Sequence, residues 1–203
     1  RLGGLRSGRM IYEFIEMAEN DLTSIAYPYD LLVKTDIKNF YPSIYTHSIP
    51  WALHGKSVIR NGYRTISGRR VRNRQNYATF FGNRLDKLFQ NANDGCTNGI
   101  PIGPAVSDII AEVVLSAVDR AASPNIPSNA VVVRFKDDYR ILAKHEDDGR
   151  KAVKALQESL AHFNLELNDK KTESFVLPDG LFRQWVSRYH ACNPQPKKYY
   201  QFK

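Results

Sequence analysis

The fold of this chain is decided by one stretch, Val131-Val132-Val133-Arg134-Phe135-Lys136-Asp137-Asp138-Tyr139-Arg140-Ile141-Leu142. Two apolar runs are joined there by a short polar corner, and this pattern predicts a β-hairpin because Val and Ile favour the half-buried environment of a strand. Asp137 and Asp138 lie at the corner, where adjacent negative charges repel each other unless a cation neutralises them. The corner therefore indicates either a site for a hard divalent ion such as Mg²⁺ or an ordinary solvated turn, in which Asp is common.

A second predicted strand also ends in a carboxylate. The run Leu31–Asp36 is short and apolar, and a helix is predicted to begin at Pro42, because the first turn of a helix does not need the N–H that proline lacks. Carboxylates at the ends of two neighbouring strands suit two-metal phosphoryl transfer, in which one ion activates the attacking hydroxyl and the other stabilises the leaving oxygens. We therefore expect Asp36 to lie beside Asp137 and Asp138.

Four motifs, in this order along the chain, resemble those of the palm of reverse transcriptases. They are Asp36-Ile37-Lys38-Asn39-Phe40-Tyr41, similar to the first catalytic motif; Gly99-Ile100-Pro101-Ile102-Gly103-Pro104-Ala105-Val106-Ser107, similar to the Gly/Pro loop for template and nucleotide; Phe135-Lys136-Asp137-Asp138, similar to the Tyr-x-Asp-Asp box with Phe in place of Tyr; and Leu165-Glu166-Leu167-Asn168-Asp169-Lys170-Lys171-Thr172, similar to the Leu-x-Leu-Asn-x-x-Lys-Thr motif. The resemblance covers about residues 31–177. Within that family, the runs at 39–51 and 99–104 are most similar to the bacterial abortive-infection branch, which acts in phage defence.

The resemblance implies roles for the matching residues. Metal binding is implied for Asp36, Asp137 and Asp138 and for the carbonyl of Ile37; nucleotide binding for Tyr41, Phe40, Gly99, Pro101 and Gly103; and catalysis for the three carboxylates and Lys171. Tyr41 corresponds to a ring that lies under the sugar and excludes a 2′-hydroxyl. The alternative is an ordinary core ring, for which the neighbouring Phe40 is the better candidate. Lys171 would bring an ammonium to the pyrophosphate leaving group, with Lys170 as the alternative if the register shifts.

The activity implied by the resemblance is nucleotidyl transfer by an RNA-directed or template-independent DNA polymerase. Its cofactor would be two Mg²⁺ ions, with Mn²⁺ as the alternative metal, and its substrates deoxynucleoside triphosphates. For the defence branch, the resemblance also implies synthesis without a template and priming from a protein hydroxyl. One alternative is a palm-type RNA polymerase, which Tyr41 disfavours. The other is a nucleic-acid-binding or assembly module without turnover, which the intact carboxylates disfavour.

The distribution of charge points to nucleic acid. The net charge of the chain is +8, and no Asp or Glu occurs at 37–85. The bases that we expect to contact RNA or single-stranded DNA in this region are Arg60, Arg64, Arg69, Arg70, Arg72 and Arg74. A localised basic stretch is typical of nucleic-acid binding, and the arginine fork matches phosphate oxygens. The alternative is a basic face that serves only solubility.

The order of predicted elements is strand, helix, hairpin, helix, strand. It predicts an α+β polymerase palm with a ferredoxin-like split βαβ core, an antiparallel sheet packed on helices, and partial fingers. The domains expected are 1–30, a leader and helix; 31–55 and 99–180, the palm; 56–98, a basic insertion; and 181–203, a tail or the start of a further domain. Helices are predicted at 10–25, 42–54, 76–91, 105–122, 147–163 (capped by Asp147 and Asp148) and 182–189, with a last strand at 172–177.

Composition excludes several classes of protein. With 42% hydrophobic and 25% charged residues, the chain resembles an ordinary soluble protein, and it has no apolar run long enough for a membrane span or a secretion signal. Cys96 and Cys192 lack partners at zinc-binding spacing, so a reducing cytoplasm is expected.

Completeness of the catalytic unit is a separate expectation. Only 35 residues precede Asp36, whereas reverse transcriptases that resemble this chain have longer fingers before that residue and a thumb after the palm. We therefore expect further protein segments, partner chains or a homo-oligomer to help hold the triphosphate and the primer.

Overall fold

A computed structural model describes residues 22, 25–61, 63–66, 69–72, 79–177 and 179–181. The strands are β1 Leu31–Asp36, β2 Tyr63–Ile66, β3 Arg69–Arg72, β4 Ala130–Phe135, β5 Asp138–Ala143 and β6 Glu173–Val176. The helices are α1 Phe40–Ser43, α2 Ser48–His54, α3 Lys56–Asn61, α4 Phe81–Ala92, α5 Ala105–Ala122 and α6 Glu146–His162, with 3₁₀ turns at Ser123–Asn125 and Asp169–Lys171. Most of the helix predicted at 10–25, the start of the one at 76–91, and the helix and tail after 181 lie outside the described residues.

The main sheet has the strand order β4-β5-β1-β6, and all of its neighbours are antiparallel. β1 pairs with both β5 and β6. Along the chain, a connection through α5 leads into the hairpin β4–β5, and a connection through α6 leads from the hairpin to β6. This is the split βαβ arrangement. The predicted α+β palm with an antiparallel sheet packed on helices is confirmed.

Alternation along the strands gives the sheet two different faces. Val33, Tyr139 and Ile141 belong to the main core under the helices, whereas Leu32 and Leu142 belong to a smaller cluster on the opposite face. Because side chains of successive strand residues point to opposite faces, Asp36 shares the face of Leu32. The carboxylate therefore lies on the side of the sheet that α5 and α6 do not cover.

Two long helices cover the other face and hold the hairpin in place. Val114 and Val118 of α5, and Leu156 and Leu160 of α6, are almost completely buried in the main core. Burying each such side chain stabilises the fold by about 1.5–3 kcal/mol. The buried positions of α5 recur every three or four residues, which explains why the helix predicted at 105–122 is confirmed at Ala105–Ala122.

The helix predicted at 42–54 is wrong in its middle. The chain forms the short helix α1, leaves helical geometry, and begins again as α2, because the backbone between them bonds to a distant loop. Thr46 N donates to the Thr97 carbonyl at 2.8 Å, and Gly99 N donates to the Ile44 carbonyl at 2.9 Å. The end of α2 at Gly55 is confirmed, with a φ of 85° that suits glycine.

The start of α6 also differs from the prediction. His145 is the N-cap residue, and Asp147 and Asp148 lie inside the first turn, without a side-chain cap hydrogen bond. Their predicted capping role is wrong. Their charge still favours this end of the helix, since the N-terminus of a helix carries a partial positive charge.

The segment predicted as a basic insertion, 56–98, contains a small hairpin. β2 pairs with β3 in antiparallel register, with Tyr63 opposite Arg72 and Ile66 opposite Arg69. None of the helices in the described ranges combines the length and the apolar character that a membrane-spanning segment needs.

Candidate active site

Neighbouring strands bring two of the predicted carboxylates together. Asp36 at the end of β1 lies opposite Asp138 at the start of β5, and the Ile37 N–H donates to the Asp137 carbonyl at 3.1 Å. Burial raises the pKa of Asp138; the charges of Asp137 and Asp36 act in the same direction, while Arg140 and Lys171 oppose them. The three carboxylates therefore belong to one electrostatic site at the tip of the hairpin.

Lys171 joins this site from the 3₁₀ turn before β6. Its Nζ donates to Asp36 Oδ2 at 2.8 Å, and this hydrogen bond raises the pKa of Lys171 above its usual value. The motif around it is fixed to β1, since Asn168 N donates to the Asp36 carbonyl at 2.8 Å and Thr172 Oγ1 lies 2.8 Å from Thr35 Oγ1. Of the two candidate lysines, Lys171 is thus the one in contact with Asp36.

The donor set on this face suits a divalent cation. Asp36 is only 15% exposed, and its Oδ1 is buried without a hydrogen-bond partner among the described residues. Carboxylate oxygens are the ligands that Mg²⁺ prefers in proteins. Within the described ranges, however, no group of three or more His, Cys, Asp or Glu side chains is arranged to hold a metal. The full ligand set of Asp36, Ile37, Asp137 and Asp138 stays a prediction.

Tyr41 is held beside this site by two contacts. Its hydroxyl donates to Asp108 in the first turn of α5, and its ring packs edge-on against Phe40 with the ring centroids 5.2 Å apart. Burial and the hydrogen bond to Asp108 raise the pKa of Tyr41, and the charge of Asp137 adds to this effect. Phe40 is only 4% exposed and lies in the main core. The buried ring of Phe40 therefore packs against the ring of Tyr41 from the core side.

Lys136, which lies between Phe135 and Asp137 in the hairpin turn, also contacts Asp108. Its Nζ lies 3.9 Å from Asp108 Oδ2, and its φ of 54° lies in the left-handed region. Tyr41, Asp108 and Lys136 line a cavity of about 690 Å³ between α2, α5 and the hairpin turn. Sequence reasoning missed Asp108. The signal that could have indicated Asp108 is its position as an acidic residue just after the Gly/Pro loop, in the first turn of a helix.

The Gly/Pro loop is hydrogen-bonded to α1 through its backbone. Gly99 has a φ of 91°, and Ile100 N donates to the Tyr41 carbonyl at 3.1 Å. Gly103 has a φ of 111°, and apart from Gly103 and its two neighbours no atom of the described residues lies within 4 Å of the position that a Cβ would take. Pro101 lies between the two glycines. The start of the loop is therefore bonded to Tyr41, and the loop has open space beside it at Gly103.

The predicted phosphate-binding arginines are on a different part of the chain. Arg60 is an exposed residue near the end of α3, Arg64 is in β2, and β3 contains Arg69, Arg70 and Arg72. Arg74 lies outside the described residues. A role of these arginines in binding nucleic acid remains a prediction.

A split βαβ sheet with carboxylates at the tip of the β4–β5 hairpin and at the end of the neighbouring strand β1 is the palm architecture of nucleic-acid polymerases. The chain belongs to the reverse transcriptase (RNA-dependent DNA polymerase) family, whose profile matches residues 2–200. This confirms the reverse transcriptase palm that the motifs indicated. No characterised protein matches the chain by sequence.

Solved telomerase structures share the fold at low identity. Apo telomerase from Candida tropicalis is 15% identical with a TM-score of 0.50, over 86% of this chain and 33% of that chain. Telomerase from Candida albicans, in complex with the TWJ fragment of telomeric RNA, is 13% identical with a TM-score of 0.50, over 85% of this chain and 31% of that chain. The chain spans about a third of the length of these telomerases.

Proposed function

We propose that this chain is the catalytic palm of a DNA polymerase of the reverse transcriptase class, which joins deoxynucleotides to a hydroxyl with release of pyrophosphate. One observation supports the proposal above all others. In a member of this family, Asp36 and Asp138 lie opposite each other on adjacent strands, and Lys171 is bonded to Asp36. Phosphoryl transfer depends mainly on positioning and charge neutralisation, and these residues are suited to both.

Asp36, Asp137 and Asp138 would hold Mg²⁺, or Mn²⁺ in its place, together with the carbonyl of Ile37. When bound, the metal would lower the pKa of the attacking hydroxyl and neutralise charge on the phosphates. Lys171 keeps a proton at Nζ, because its hydrogen bond to Asp36 favours the charged form. That ammonium can then donate a proton to the leaving pyrophosphate, or stabilise its negative charge.

Two further elements would select the substrate. The ring of Tyr41, fixed between Phe40 and Asp108, would lie under the sugar and exclude a 2′-hydroxyl. The loop from Gly99 to Gly103 would approach the base pair with its backbone, since glycine has no Cβ to prevent close contact.

The biological setting that we propose is anti-phage abortive infection in the cytoplasm. The support is the similarity of the runs at 39–51 and 99–104 to that branch. The net charge of +8 and the arginines of the basic insertion favour RNA or single-stranded DNA as a partner. Synthesis without a template, priming from a protein hydroxyl, and completion by further segments or subunits belong to the same proposal.

A nucleic-acid-binding module without turnover is the second candidate. It is favoured by the contact of Lys171 with Asp36, which engages one oxygen of a predicted metal ligand. Such a module would bind nucleic acid with the same affinity whether or not Asp137 is intact.

Nucleotide incorporation by the purified chain, with and without template, tests the proposal. Asp137→Asn should abolish incorporation, since each metal supplies several kcal/mol of transition-state stabilisation and about 1.4 kcal/mol corresponds to tenfold in rate. Asp147→Asn, at an exposed site in the first turn of α6, is the matched control and should keep full activity. Activity of Asp137→Asn within about tenfold of the wild type would contradict the assignment. A wild type that binds nucleic acid without incorporation, even together with the further segments or subunits expected to complete it, would favour the second candidate.

A further inference from the structure

Behind the catalytic hairpin lies a cluster of polar residues that the proposed chemistry does not use. Arg134, near the end of β4, is only 11% exposed. Its Nη1 and Nη2 donate to the two carboxylate oxygens of Glu112 at 3.0 and 2.6 Å, and its Nε donates to Asp119 Oδ2 at 2.8 Å. Both acids belong to α5, the helix that follows the Gly/Pro loop.

The same guanidinium also reaches the backbone of the catalytic turn. Arg134 Nη1 donates to the Lys136 carbonyl at 3.1 Å. On the other side of the turn, the Ile37 N–H donates to the carbonyl of the next residue, Asp137, at 3.1 Å. The two carbonyls of the turn therefore each accept a hydrogen bond, one from an arginine anchored on α5 and one from the residue that follows β1.

This turn has a conformation that its sequence does not favour. Lys136 has a φ of 54°, and an L-residue with a Cβ rarely adopts this region. Strained residues of this kind persist only where the surrounding structure determines their conformation. The Arg134 contact acts on the carbonyl of this very residue, so it is well placed to maintain the conformation.

We propose that Arg134 is a positioning residue, which holds the Lys136–Asp137 turn in the geometry that presents Asp137 and Asp138. Arg134 acts from the helix side of the sheet and touches neither substrate nor metal in this scheme. The proposal rests on the proposed function for its kinetic consequence, but its structural consequence is independent of that function.

Tyr139 offers a control within the same cluster. It is fully buried, lies opposite Arg134 on the next strand, and donates from its hydroxyl to Asp119 Oδ1 at 3.1 Å. Tyr139→Phe removes a hydrogen bond from the shared partner Asp119 without removing the contact to the Lys136 carbonyl. A general loss of packing or stability in the cluster would therefore affect both variants, whereas a loss of turn geometry would affect only Arg134→Met.

The experiment combines amide hydrogen exchange with single-nucleotide incorporation kinetics. In Arg134→Met, the Ile37 amide should exchange about tenfold faster because the turn that supplies its acceptor is no longer fixed. The same variant should lose about a hundredfold in kcat, the cost of a displacement of about 1 Å, with a much smaller change in the KM of the deoxynucleotide. Tyr139→Phe should show neither change.

A second substitution separates turn geometry from charge. Lys136→Gly removes the penalty of a positive φ, so the double variant Arg134→Met/Lys136→Gly should recover the exchange protection of Ile37 and most of kcat. Arg134→Met/Lys136→Ala, which removes the same charge but keeps a Cβ, should recover neither. If Arg134→Met does not fold, Arg134→Lys replaces it, since a single ammonium cannot reproduce the fork of a guanidinium.

Three results would overturn the proposal: wild-type protection of the Ile37 amide in Arg134→Met, an equal loss of protection in Tyr139→Phe, or equal recovery with alanine and glycine at 136. A wild-type chain that incorporates no nucleotide, even together with the segments or subunits expected to complete it, would refute the proposed function instead. The exchange measurements would then still decide the role of Arg134.

Discussion

Tyr41 gives the sharpest test of how this site selects its substrate. Its ring is fixed from below by Phe40, and its hydroxyl is fixed to Asp108. Tyr41→Ala would remove the ring and leave space beside the carboxylates, whereas Tyr41→Phe would keep the ring and remove only the bond to Asp108. If the ring excludes a 2′-hydroxyl, only the alanine variant should accept ribonucleotides more readily.

The expected size of the effect follows from packing. Forcing an extra group into a well-packed site costs about 1–3 kcal/mol. Since about 1.4 kcal/mol corresponds to tenfold in rate, the ring should discriminate against a ribonucleotide by about 5- to 150-fold. Tyr41→Ala should reduce the ratio of deoxynucleotide to ribonucleotide kcat/KM by that factor, mostly through faster use of the ribonucleotide.

The assay is single-turnover incorporation of matched deoxy- and ribonucleoside triphosphates by the wild type and both variants. Tyr41→Phe should keep a ratio close to that of the wild type, because the ring stays in place. An unchanged ratio in Tyr41→Ala would refute the reasoning and leave Tyr41 as a structural ring. An equal fall in both variants would instead assign the selectivity to the hydrogen bond with Asp108.

Three further predictions concern other parts of the molecule. Lys171→Met should slow incorporation, and Lys170→Met, the matched control, should not, because of these two lysines it is Lys171 that binds the Asp36 carboxylate; equal effects in a nucleotide-incorporation time course would contradict this role. Alanine at Arg69, Arg70, Arg72 and Arg74 should make the slope of log K against log salt for single strands shallower by about 0.7 for each phosphate that is no longer neutralised, and an unchanged slope would show that these residues do not bind phosphate. Burial opposes ionisation of Asp86, but its hydrogen bond with His47 at 2.5 Å and its other polar partners lower the pKa of Asp86 below the usual value. The stability that this carboxylate contributes is therefore present above the ordinary Asp pKa of about 3.9 and is lost as the pH falls through the lowered pKa. Urea unfolding between neutral and acid pH should show this decrease in the free energy of unfolding, and the decrease should be smaller in His47→Ala.

Local patterns in the sequence were enough for much of the palm. The hairpin around Asp137 and Asp138, the strand that ends at Asp36, and α5 each follow from residues close together in the chain. Strand alternation and helical periodicity are properties of short segments, so they can be predicted without knowledge of the partner segment. The split βαβ order then placed Asp36 next to the hairpin, and the register confirms that neighbourhood.

Long-range contacts decided what these patterns do not contain. The helix predicted at 42–54 is interrupted because Thr46 and Ile44 bond to a loop about fifty residues later, near Thr97. The bonds of Tyr41 to Asp108 and of Arg134 to Glu112 likewise join residues far apart in the chain. A polar side chain satisfies its hydrogen bonds with whichever group the packing of the helices brings near. For that reason the sequence by itself determined the strands of the main sheet, the long helices and the positions of the carboxylates, while the partners of Tyr41 and Arg134 were decided only by the tertiary structure.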